Sequence, residues 1–252
     1  MKARNILFVE LDGATWDVIN PLLQAGKLPN IKSIMSSGAS GPLVSVPPLV
    51  SPKIWTSIFS GKCAAKTGVE FFGANSNMVK CKRIWDILDE KGLKVGVCGT
   101  FVTWPPREIN GFMIPSVDSL GTETYPSDYK PYQEVALNET RKGKALGARY
   151  TSYLPYVYYA REFKKMGVST RTLFDMFKLA LCEKSGLFPP EKIQWEKAVA
   201  HLRSFTDLFL HLHGRFVPDF STFHIHVCDY ISHRFWKFYE PGEFSEIDPE
   251  KI

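Results

Sequence analysis

The sequence predicts an α/β fold, a mainly parallel sheet with helices on both faces. Three observations carry this expectation. Compact apolar runs at Ile6–Leu11, 94–98 and 112–114 alternate with helical patterns, the β-α-β rhythm of a parallel sheet. A further strand-like run covers 220–228. The first and last of these runs each end in a carboxylate, Asp12 and Asp229. Ligands of open α/β sheets sit outside the carboxyl ends of the strands. Two such Asp residues, brought side by side in one sheet, would form a metal-ligand cluster.

The elements follow in order. Residues 6–11 are apolar except for Glu10 and read as a buried parallel strand, closed by Asp12-Gly13. Ala14 or Thr15 opens a helical pattern through Val18, Ile19, Leu22 and Leu23. Leu28-Pro29-Asn30 turns into a short helix over 31–36, and 38–48 reads as loop or edge strand. A helix is expected from about Ser51, with Ser as a good N-cap and Pro52 favoured in the first turn. Residues 84–88 form another helix, ending near Gly92 before the strand at 94–98.

From about Asn138 the pattern becomes helix only. Segments 153–166, 170–184 and 191–212 are separated by Gly167 and by 186–190. In the third, Trp195, Val199, Leu202, Phe205, Leu208 and Phe209 recur at helical spacing. The expected organisation is a first part of the core (1–137), a helical cap insertion (138–217) and a return to the core (218–252). Residues after Pro241 are polar and acidic and show no terminating element.

Composition bounds the function. A chain of 252 residues allows one large domain or a domain with an insertion. The net charge of +5 suits an anionic substrate, but no Lys/Arg run makes a dense nucleic-acid stripe. No apolar run reaches the ~20 residues of a membrane span. The N-terminus is not a signal-peptide core. Five scattered cysteines without a C-x-x-C pair read as free thiols of a reducing cytoplasm. The sequence gives no oligomeric state.

Several residues have the chemistry of a site. Ser51, at a helix N-terminus, is the nucleophile candidate, because backbone N–H groups there favour an anion; the alternative is a plain N-cap. Asp12 reads either as a ligand or as an Asp-Gly turn. Asp229 and His233, at i and i+4, share one face of a helix that starts there, which suits one metal; the alternative is an N-cap Asp and a surface His. His224 and His226 share a face of their strand. Such residues ordinarily pack with satisfied hydrogen bonds, with metal ligation as the alternative. His201, His211 and His213 read as structural. Gly96-Val97-Cys98-Gly99 lacks the G-x-G-x-x-G of a dinucleotide loop.

In combination, Leu11-Asp12-Gly13, the block from Pro47 through Ser51-Pro52-Lys53-Ile54-Trp55-Thr56 to Lys62, and Asp229-Tyr230-Ile231-Ser232-His233-Arg234-Phe235-Trp236 resemble the type I phosphodiesterase/nucleotide pyrophosphatase branch of the alkaline phosphatase superfamily. The stretch from Lys94 to Pro106, with 109–113, is similar to its bacterial and archaeal members. The resemblance covers roughly 5–121 and 220–241. Sulfatases of the same superfamily use C-x-P-x-R or S-x-P-x-R, which Ser51-Pro52-Lys53-Ile54-Trp55 does not fit. Lys66-Thr67-Gly68 departs from the family's usual Lys-His-Gly.

The resemblance implies an alkaline phosphatase-like three-layer α/β/α fold with a helical insertion. It implies two divalent ions, zinc or alternatively manganese, ~4 Å apart. Asp12 and Ser51 are implied ligands of one ion, and Asp229 and His233 of the other. Ser51 is the implied nucleophile, giving a phospho-seryl intermediate in the hydrolysis of a phosphodiester or phosphomonoester. Asn75 or Asn77 stands where relatives place a donor to phosphate oxygen. The implied partner is a small-molecule phosphoester. Relatives continue with an Asp-His-Gly block and one more His ligand; no Asp-His pair occurs in this sequence. The chain therefore reads as the N-terminal part of such an enzyme, its core truncated at the C-terminus, and residues 1–252 alone are expected to be nearly inactive. The competing expectation is a remnant or phosphate-binding module without turnover.

Overall fold

The computed structural model describes residues 5–142, 154–186 and 188–244. Residues 1–4, 143–153, 187 and 245–252 lie outside them. In chain order the described elements are β1 (Ile6–Leu11), α1 (Trp16–Gln24), α2 (Pro29–Ser37), α3 (Ser51–Ser60), α4 (Ala64–Thr67), α5 (Ile84–Glu90), β2 (Val95–Cys98), β3 (Gly111–Ile114), α6 (Lys130–Lys142), α7 (Leu154–Lys165), α8 (Thr170–Ser185), α9 (Pro190–Phe216), β4 (Phe220–Ile225) and α10 (Val227–Tyr239). They form two compact units. The first comprises 1–10 and 50–225; the second comprises 11–49 and 226–252.

The first unit is built on an all-parallel sheet with strand order β1-β4-β2-β3. Strand β2 pairs with β3 from Val95↔Gly111 to Cys98↔Ile114, and with β4 from Val95↔Phe220 to Cys98↔Phe223. Asp219 ties three strand starts together. Its carbonyl accepts from Ile6 N–H, its N–H donates to Lys94 O, and its carboxylate accepts from Lys94 N–H.

Alternation along the strands divides the core into two layers. On one face Val95, Val97, Met113 and Phe220 pack with Phe59 of α3 and Trp85 of α5. On the other, Cys98, Phe112, Ile114 and Phe223 pack with Phe205, Leu208, Phe209 and Leu212 of α9. Each such buried side chain contributes roughly 1.5–3 kcal/mol relative to exposure. The expected three-layer α/β/α architecture is therefore present, with α3 and α9 on opposite faces.

Strand β1 differs from its expectation as a buried strand. Ile6, Leu7, Phe8, Val9 and Leu11 are all exposed and only Glu10 is buried. The strand lies at the edge of the sheet, so neighbours cover it on one side only. Helix α6 has no counterpart in the sequence reading. Among its described side chains, Tyr132, Gln133, Ala136 and Leu137 are buried. Helix α9 runs on through Phe216, beyond the expected end at 212, and stops at Val217 in the left-handed region.

In the second unit, Thr15 caps α1 by accepting the Asp17 N–H. The Tyr239 hydroxyl of α10 donates to Asp17 O at 3.0 Å, which ties the two segments of the unit together.

Candidate metal centre

Asp12 is the residue after β1, and His226 is the residue after β4. Both belong to the second unit, as do Asp229 and His233. Gly13 explains how they meet. Its φ is +71°, and a Cβ there would stand 2.6 Å from Asp229 Cα and 2.9 Å from Asp229 Cβ. Only glycine lets the chain pass directly against the first turn of α10. Asp229 sits in that turn, where a carboxylate complements the helix dipole. His233 lies one turn on, on the same face.

The donor atoms fall into a short series. Asp12 Oδ2 is 3.5 Å from His226 Nδ1. His226 Nε2 is 3.9 Å from Asp229 Oδ2, and Asp229 Oδ1 is 3.3 Å from His233 Nε2. Asp12 is buried, His226 and Asp229 are half-buried, and His233 is exposed. The neighbouring Cys228 thiol is pushed above its ordinary range, chiefly by burial and then by the negative charges of Asp12 and Asp229. The same field favours a cation. Two carboxylates and two imidazoles are an oxygen and nitrogen donor set that zinc or manganese accepts, so these residues fit a divalent ion.

The strand expected over 220–228 is shorter in the structure. Strand β4 ends at Ile225, and His226 already has helical backbone (φ −84°, ψ −12°) as the N-cap of α10. His224 stays in the first unit as a packed, hydrogen-bonded histidine. Its Nδ1 is 2.7 Å from Glu10 Oε2, with both side chains buried. Thr100 Oγ1 donates to Glu10 Oε1 at 2.7 Å and lies 2.9 Å from Thr222 Oγ1. Trp55 and Phe101 meet the His224 ring edge to face, each at 5.1 Å between centroids. The sequence reading did not anticipate this network, although Glu10 as the one polar residue in an apolar strand was its visible signal.

Ser51 also lies in the first unit and is half-buried. It is the first residue of α3, one position later than its expected N-cap place, which Val50 takes without a side-chain hydrogen bond. Trp55, one turn further along α3, is one of the two rings that pack on His224. Asn75 caps a short 3-10 turn, its Oδ1 accepting the Asn77 N–H at 3.0 Å, and Asn77 is exposed. The structure thus brings Asp12, Asp229 and His233 together with His226, while Ser51, Asn75 and Asn77 are positioned by the other unit.

A family model described as type I phosphodiesterase / nucleotide pyrophosphatase matches residues 6–247. The chain belongs to this family. The match takes in the strand-end residues Asp12 and His226, Ser51 of α3 and the Asp229/His233 pair of α10. Neither a curated protein nor a solved structure matches the chain. Among the described residues, no helix is long and apolar enough to cross a membrane. For a type I phosphodiesterase/nucleotide pyrophosphatase, the expected chemistry is phosphoester hydrolysis.

Proposed function

We propose that the reaction these residues serve is metal-dependent hydrolysis of phosphodiesters or phosphomonoesters, with Ser51 as nucleophile. The observation that carries the reading is the meeting of Asp12, His226, Asp229 and His233 in a chain of this family. Asp12, Asp229, His233 and Ser51 Oγ would hold two divalent ions, zinc or manganese. Such ions, when bound, lower the pKa of a hydroxyl or water and neutralise developing charge on phosphoryl oxygens.

The chain's own groups supply the rest. The N–H groups that open α3 draw the substrate phosphate towards the Ser51 hydroxyl. Ser51 Oγ forms a bond to phosphorus in line as the P–O bond to the leaving alkoxide breaks. Water then cleaves the phosphoserine and regenerates the hydroxyl. With Asn75 Oδ1 taken up by Asn77, the Asn75 amide N–H groups are its donating end for a phosphate oxygen. A small phosphoester as substrate and a cytoplasmic setting belong to the same reading.

The test uses the full chain loaded with zinc or manganese, with a chromogenic phosphodiester and a phosphomonoester as substrates. Hydrolysis should disappear in Ser51→Ala and on chelation, and acid quenching should leave phosphate on residue 51, located by mass spectrometry. Hydrolysis that survives either change overturns the reading. Phosphate binding without turnover, with either ion, replaces it by a phosphate-binding module.

A further inference from the structure

We infer that His226 is a metal ligand, the nitrogen donor that completes an Asp–His pair with Asp12. The inference rests on the metal-dependent reading above and adds a residue that the family pattern does not place on either ion.

The argument is one of spacing. Zinc holds imidazole nitrogen and carboxylate oxygen at ~2.0–2.2 Å, so two donors on one tetrahedral ion lie ~3.3–3.5 Å apart. Asp229 Oδ1 and His233 Nε2, the pair the family pattern assigns to one ion, are 3.3 Å apart. Asp12 Oδ2 and His226 Nδ1 are 3.5 Å apart. That separation exceeds the 2.7–3.2 Å of an N–H···O hydrogen bond. It matches the spacing of donors that share an ion. Two carboxylate–imidazole pairs of the same kind thus stand in one unit, and His226 Nε2, 3.9 Å from Asp229 Oδ2, links them.

The backbone supports the assignment. His226 is the cap of α10, held by the turn from β4 into the helix, and Tyr230 N–H donates to its carbonyl. Asp12 is fixed by the Leu11–Ala14 turn and by the close passage of Gly13 past Asp229. Each donor therefore sits on a constrained backbone segment, which reduces the ordering cost of binding an ion. Within the second unit, His226 stands beside Asp12 at 3.5 Å.

Metal affinity is the readout. Zinc titrations, by calorimetry with a competing chelator, should give two sites for the full chain and for Ser51→Ala. In His226→Gln one site should weaken on the order of 10–100-fold, at least the scale on which outer-shell partners of a metal shift its affinity. Two sites of unchanged affinity in His226→Gln overturn the inference while leaving the proposed function standing. No zinc bound by the unsubstituted chain overturns both. A measurement on the unsubstituted chain guards against misfolding of the variant: the ring-nitrogen NMR resonance of His226 Nδ1 should move on adding zinc. A stationary Nδ1 resonance with both sites filled also overturns the inference.

Discussion

The Nδ1 atom of His224 stands 2.7 Å from Oε2 of Glu10, with both side chains buried between the sheet and α3. Losing one partner of such a pair leaves a buried polar group without its complement. Glu10→Ala is expected to cost about 3 kcal/mol in urea unfolding. His224→Ala should lower stability as well, and the double variant should fall short of the sum by about 1 kcal/mol or more. Strict additivity would show that the two groups do not interact.

Gly13→Ala tests the close passage beside Asp229. Its Cβ would meet Asp229 Cα at 2.6 Å, whereas a Cβ at Gly26, with a similar φ of +68°, meets nothing within 4 Å. Both substitutions carry the left-handed backbone cost of about 1 kcal/mol. Gly13→Ala should cost more than Gly26→Ala and should also weaken zinc binding, which Gly26→Ala should leave unchanged. Equal effects in thermal melting and zinc titration would show that the contact carries no weight.

Acid should act on the corner between α5 and β3. Asp89 Oδ1 accepts from Asn110 N–H and Oδ2 accepts from Arg107, each at 2.8 Å. Partial burial raises the Asp89 carboxyl, but these hydrogen bonds and the Arg107 charge outweigh it and hold the group below its ordinary value of 3.8. The folded-state value is depressed, so its stabilisation is present above the ordinary value and lost as pH falls through the folded one. Asp89→Asn should therefore be less stable at neutral pH, by about 1 kcal/mol. The gap should close as the pH drops below 3.8. A gap constant with pH would rule out the charge as its origin.

The thiols should separate by reactivity. Cys98 is fully buried, and burial, then the charge of Glu10, pushes its thiol well above the ordinary range, whereas Cys63 is exposed. Thiolate is the reactive form. Brief alkylation of the folded chain should label Cys63 and spare Cys98 until denaturant is added. Prompt native labelling of Cys98 would show that the sheet opens locally at β2.

Strand and helix positions were legible wherever a single period ran cleanly. Val95 and Val97 against Phe112 and Ile114, and the stripe from Phe205 to Leu212, announce their elements by spacing alone. The stripe did not disclose which surface it covers, because a helical period fixes a face and not its partner. Glu10 was visible as an anomaly in β1, yet its partner lies 214 positions away, and pattern has no reach over that separation. The strand expected over 220–228 ran too far, because β4 stops at Ile225 and helical backbone begins at His226. Asp12, Asp229 and His233 could be chosen from their places at a strand end and on one helix face. The role of His226 rests on a 3.5 Å spacing that sequence does not contain.

The second unit is assembled from 11–49 and 226–252, with the whole of 50–225 synthesised in between. At ~5–20 residues per second, the ribosome needs roughly 10–35 s to make the intervening stretch. Asp12 and Gly13 therefore leave the exit tunnel long before the first turn of α10 exists. During translation the early segment has no late partner, and a cation cannot be captured between the two until the last stretch emerges. A chain stalled short of residue 226 would carry Asp12 without His226, Asp229 or His233.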